Sequence, residues 1–143
     1  MGSRRRRLRS GDSRRYYDWL DKAGEDMVAA TELAKEDRCY NIAAFHCQQT
    51  AEKALKAYLL LKTGELLDGH NLTWLCKQAR KFDREFEQYL DESASLNHYY
   101  IETRYPADIP LELEEKEIRR VLTMTQKIYL FICSQVDEAL DGE

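Results

Sequence analysis

Proline is nearly missing from this chain, with only two among 143 residues, at Pro106 and Pro110, so one short stretch carries every enforced break in helix. Glycine is almost as sparse at six, and no Gly-rich phosphate loop of the P-loop or dinucleotide type can be assembled from them. No two of the four cysteines, at 39, 47, 76 and 133, have the C-x-x-C spacing of a zinc or redox motif. Three of them fall in apolar helical patterns, where free Cys acts as a small hydrophobe, so reduced structural thiols are expected and no metal or other cofactor. Long apolar runs are also missing. The longest, IYLFIC, is far too short to span a bilayer, and no apolar stretch follows the arginines near the start as a signal peptide requires. A cytoplasmic protein without membrane attachment is expected.

The formal charge of −4 conceals a split. Residues 1–15 hold seven Arg against one Asp, while the remainder holds fifteen basic and twenty-five acidic residues. The later part is acidic, which argues against a broad basic face for duplex nucleic acid. Residues 1–13 read either as a disordered Arg-rich arm able to touch phosphates or as an expression remnant; residues 14–141 read as one helical domain.

The central stretch is Tyr40 to Lys62, YNIAAFHCQQTAEKALKAYLLLK, free of Gly and Pro and rich in Ala, Leu, Lys and Gln. At 100° per residue, Ala43, Cys47, Ala51, Ala54, Tyr58 and Leu61 form one apolar side, widened by Ala44, Leu55 and Leu59. A narrow polar stripe of His46, Gln49, Glu52, Lys53 and Lys56 remains, readable as a solvated or partner-facing surface. Before it, Tyr16, Leu20, Ala23, Met27, Ala30 and Ala34 recur at steps of four and three, giving a first helix with Asp18, Asp21, Glu25 and Glu32 outside. A turn at Glu36–Cys39 makes the two helices antiparallel. Gly64 ends the second helix and Asn71 caps a short third one. Asp83 starts a fourth, carrying Phe86, Leu90, Ala94, Asn97 and Tyr100 and stopping by Arg104 or Tyr105 before Pro106. The last helix spans about Glu112 to Leu140, with acids at its positive end. The sum is an all-α, up-down antiparallel bundle of four long helices and one short one.

Two polar groups are candidate ligand contacts: the stripe His46, Gln49, Lys53 and Lys56, and the group Asn97, Tyr100 and Arg104, which share a helix face at i, i+3 and i+7. Arg104, beside Tyr105 and Pro106, is placed to hold a phosphate or carboxylate bidentately, or else to pair with an acid. His46 has no orienting acid that the spacing names.

HCQQTAEKALKAYLL (46–60), GHNLTWL (69–75) and LNHYYIETRYP (96–106) together resemble the HEPN domains (higher eukaryotes and prokaryotes nucleotide-binding) of the short, stand-alone prokaryotic type, over about residues 14–140. The resemblance implies a helical bundle that is usually dimeric. It also implies a minimal nucleotidyltransferase as partner, in pairs regarded as toxin–antitoxin modules, and nucleotide or RNA as ligand. The candidate contacts for such a ligand are His46, Gln49, Lys53, Tyr100, Arg104 and Tyr105. Many such proteins are metal-independent ribonucleases using Arg, four to six residues, then His. This chain departs from that motif: Arg38 precedes His46 by seven intervening residues, and His98 and Arg104 stand in reverse order about 240° apart. The family's RYPD is also changed, with Ala107 before Asp108. The expectation is therefore a binding module. A ribonuclease whose site is assembled across helices or a dimer interface, and a ligand-free structural dimer, are the alternatives.

Overall fold

A computed structural model describes residues 11–100, 106 and 112–142. Five α-helices run in chain order: α1 (Tyr16–Leu33), α2 (Tyr40–Thr63), α3 (Leu72–Arg80), α4 (Leu90–Asn97) and α5 (Glu115–Asp141). Two 3-10 stretches, Asp37–Cys39 and Arg84–Tyr89, precede α2 and α4. No strand occurs among the described residues.

The chain enters α1 through local ties. The Trp19 indole N–H donates to the Ser13 carbonyl (2.9 Å) and the Ser13 hydroxyl to the Asp18 carboxylate (2.7 Å). A brief 3-10 turn returns the chain into α2, which packs along α1 more extensively than any other pair of elements and also meets α5, α3 and α4. Fourteen of the 24 residues of α2 are buried, so it is the core helix that its composition implies. Its small residues Ala43, Ala44, Cys47, Ala51 and Ala54 are fully buried, as are Ala23 and Ala30 of α1, and two such surfaces let helix axes come close. α1 and α5 also approach closely: a Cβ at Gly24 would lie 2.9 Å from the Tyr129 hydroxyl.

Gly64 ends α2 with φ at 76°, and its N–H donates to the Leu60 carbonyl. Asn71 caps α3 by accepting from the Trp74 N–H (3.1 Å). The fourth helix is shorter than its periodicity predicts. Asp83 caps as expected, accepting from Glu85 N–H (3.0 Å), but the residues that follow are a 3-10 stretch, and the α-helix begins only at Leu90 and closes at Asn97. The reason is packing. Phe86 is buried against Tyr58 (ring centroids 4.7 Å) and Phe131 (5.0 Å), and its carbonyl accepts from the Cys76 thiol (3.3 Å), which holds this stretch onto α3 and α5. Among the described residues the bundle therefore has three long helices and two short ones. The expected stopping point at Arg104 or Tyr105 lies outside the described residues, as does the 101–105 part of the segment between α4 and α5. The final helix starts at Glu115, three residues later than expected, with the Glu114 N–H reaching the Glu117 carboxylate.

Candidate functional site

The stripe on α2 is neither solvated nor simple. Glu52 and Lys56 are 4% and 6% exposed, so the expected solvated ridge is corrected to a largely interior one. Buried charges must be matched, and they are matched here by two arrangements of the same composition.

The first joins α1 to α2. Asp26, 8% exposed, accepts from His46 Nδ1 at one carboxylate oxygen (2.7 Å) and from Lys53 Nζ at the other (2.7 Å). An ionised carboxylate can only accept, so Nδ1 carries the proton and a neutral His46 keeps its lone pair on Nε2. Asp26 is the orienting acid that the sequence reading did not find. Its sign was present: it sits three residues after Ala23 and four before Ala30, an acid inside an apolar seam, and such an acid needs a buried partner.

The second joins α2 to the loop before α3. Glu52 accepts from His70 Nδ1 (2.9 Å) and, at its other oxygen, from Lys56 Nζ (3.0 Å). The Lys56 ammonium also lies 5.8 Å from the centre of the Trp19 ring. Gln48, fully buried, donates to Glu52 (3.2 Å) and to the His70 carbonyl (3.2 Å), and Gln49 donates to Gln48 (2.8 Å). His70 stacks on Tyr100, with centroids 4.1 Å apart and planes at 17°. Phe45 lies 6.2 Å from Tyr100 and 5.6 Å from His46. The helical step puts Gln49 and Phe45 between the two arrangements. With neutral imidazoles, two carboxylates and two ammonium groups sum to zero.

Of the expected contacts, His46, Gln49, Lys53 and Tyr100 are thus brought to one region. Arg104 and Tyr105 lie outside the described residues. The amide of Asn97 is engaged within the fold. It accepts from the Leu72 N–H (2.6 Å) and donates to Asn71 (3.2 Å) and Thr73 (3.1 Å), tying the end of α4 to the start of α3. The sequence reading missed Asp26, Gln48 and His70 as members of this region.

Beside Lys53 a cleft of about 500 Å³ opens, bordered by Ser13, Asp18, Trp19, Asp21, Lys22 and Glu25. Its acids disfavour a phosphate on that flank. Arg38 is no substitute for a catalytic guanidinium, since it is exposed and pairs with Glu36 (3.0 Å). Nor do Cys47, Cys76 and Cys133 offer a ready thiolate. Burial pushes Cys47 up to about 12 despite a hydrogen bond with Thr125, and raises Cys76 and Cys133. Among the described residues no group of three or more His, Cys, Asp or Glu can hold a metal ion, and no helix is long and apolar enough to cross a membrane.

The family model for the HEPN domain matches residues 16–136. Among solved structures the fold is similar to TT1696 from Thermus thermophilus (TM-score 0.75, 30% identity, 85% of this chain and 98% of that one). It is also similar in fold to ST0689, described as an archaeal HEPN homologue (TM-score 0.70, 24% identity, again 85% and 98%). No curated protein matches. A family match across nearly the whole helical bundle and a solved relative spanned almost end to end agree: the chain belongs to the HEPN domain family.

Proposed function

We propose that this chain is a nucleotide- and partner-binding module that works beside a minimal nucleotidyltransferase, in a pair of toxin–antitoxin type, as a cytoplasmic homodimer. The observation that carries the reading is the arrangement around Asp26. Its carboxylate fixes His46 and Lys53 together, so their polar atoms are positioned before a ligand arrives. Gln49 supplies amide hydrogen bonding next to them and Tyr100 an aromatic face. Arg104 and Tyr105, from the segment that follows Tyr100, are assigned as phosphate anchor and its neighbour. Because Lys53 and Lys56 are already paired with carboxylates, the affinity for a phosphate is assigned mainly to Arg104.

Calorimetric titration with ATP and GTP tests the binding role. Saturable heat that weakens in Arg104→Ala and His46→Ala supports it, and flat titrations with both nucleotides leave a ligand-free helical dimer instead. Co-purification with a co-expressed minimal nucleotidyltransferase tests the partnership, and sedimentation of the purified protein tests the dimer.

One observation favours a second reading. With Nδ1 held by Asp26, His46 presents Nε2 in the form that a general base needs, which fits a ribonuclease completed by Arg104 across helices or subunits. The absent Arg-x4–6-His spacing stands against it. RNA cleavage by the purified protein, lost in both His46→Ala and Arg104→Ala, would displace the binding module as the primary role.

A further inference from the structure

His70 sits in a loop, yet both its carbonyl and its ring are tied to α2. Its carbonyl accepts from fully buried Gln48, and its Nδ1 donates to Glu52, whose side chain is 5% exposed. Glu52 is in turn neutralised by Lys56, 7% exposed, and steadied by Gln48 and Gln49. The loop backbone is already placed without the ring: Asn71 caps α3, and Asn97 binds the Leu72 N–H. An interior ion pair gains little stability for the fold, because stripping water from both charges offsets most of their attraction. The result of this one is local. It fixes the plane of a single imidazole.

That plane is partly open. The His70 side chain is 49% exposed, one face is covered by Tyr100, and the Nδ1 edge is occupied by Glu52. The open part is therefore the opposite face together with the Nε2 edge. A flat ring backed by a second ring, its orientation set beforehand, is the kind of surface on which a nucleobase stacks with little loss of side-chain freedom. Gln49, which donates to Gln48 and Glu52, lies between this plate and the His46–Lys53 pair, so the two belong to one continuous surface.

Resting on the nucleotide-binding reading above, we infer that His70 is the base-stacking residue of the site. The purine ring of a nucleotide lies on its open face, with Nε2 in reach of the base edge.

The test is calorimetry with ATP on the full chain and on His70→Ala and His70→Phe, with circular dichroism to establish that each variant is folded. His70→Ala is expected to weaken ATP about tenfold, the scale of one stacked base, while His70→Phe, which keeps a flat ring, stays within about threefold of the original. Proton spectra of the bound ATP should show the adenine H2 and H8 lines moved upfield in the original protein and in His70→Phe but not in His70→Ala. Binding in which His70→Ala equals the original protein overturns the assignment and leaves the nucleotide reading intact. So does an equal loss in both variants, which marks the imidazole as a loop tether only. A flat titration of the original protein with ATP and GTP removes the nucleotide reading, and this inference with it.

Discussion

Asp26 and His46 stand twenty residues apart, on helices that run side by side, and meet across a single 2.7 Å hydrogen bond. The same carboxylate takes Lys53 at its second oxygen, so one acid on α1 fixes two side chains of α2. Replacing Asp26 by Asn keeps the shape but sets an amide N–H₂ against one of its two donors. We expect a loss of about 1–3 kcal/mol in urea unfolding, the cost of a buried polar group without a partner. Nitrogen NMR should read a protonated Nδ1 on neutral His46 in the original protein and a mixture of tautomers in Asp26→Asn.

The Glu52–Lys56 pair predicts a different pattern. Removing one partner, as in Glu52→Ala, leaves a buried ammonium and should cost about 3–5 kcal/mol. Replacing both, as Glu52→Leu with Lys56→Met, should recover most of that loss while freeing the His70 ring. Unfolding curves for the single and double variants check the first point, and loss of the His70–Tyr100 stacking shifts checks the second.

Asn97 should behave as a clasp. Asn97→Ala removes an acceptor for the Leu72 N–H and two donated bonds to the start of α3. A destabilisation of about 1–3 kcal/mol is expected, with faster amide exchange at Leu72 and at the end of α4 before the rest of the bundle opens.

Gly24 lies opposite Tyr129, whose hydroxyl is 2.9 Å from where a Cβ would be. Gly24→Ala alone gains helix propensity and loses it again by pushing the phenol aside. In a Tyr129→Phe background the contact is relieved, and the same Ala should stabilise by about 1 kcal/mol. A double-mutant cycle on unfolding free energies measures the difference.

Alkali should weaken the fold through groups that burial keeps protonated. Burial pushes Cys47 up to about 12 from its usual 9.0, and pushes Tyr58 and Tyr129 up to about 12 from 10.0. These values are raised in the folded state, so the unfolded chain gives up its protons first as pH rises. Their contribution to stability is whole below about pH 9 and falls between there and about 12. The decline should be shallower in Cys47→Ala. Below pH 9 the Cys47 thiol should resist thiol reagents until the protein unfolds.

Much of the fold was legible because it follows from period and punctuation. The apolar side of α2 is continuous over about five turns, Gly64 and Asn71 mark their positions unaided, and the small residues of α1 and α2 match one another. The break within the fourth helix was not legible, because Phe86 fits a helical period equally well and only its pocket between Tyr58 and Phe131 decides against it. The polar stripe was found, but its depth was not: a row of Glu and Lys reads as surface unless the partner from another element is known. His46, Gln49, Lys53 and Tyr100 were therefore chosen on residue type. Asp26 and His70 were passed over, since each acquires its meaning only from a residue eighteen or more positions away.

The depth of the two carboxylate-centred arrangements bears on how the molecule answers its medium. Mobile ions weaken charges that they can approach, and Arg15–Asp18, Lys22–Glu25 and Lys35–Glu32 along α1 are open to them. The Asp26–Lys53 and Glu52–Lys56 pairs are shielded by the helices around them. Brine should thus loosen the rim of α1 while the grip between α1 and α2 holds, so ionic strength can alter what reaches the molecule without altering the shape that meets it.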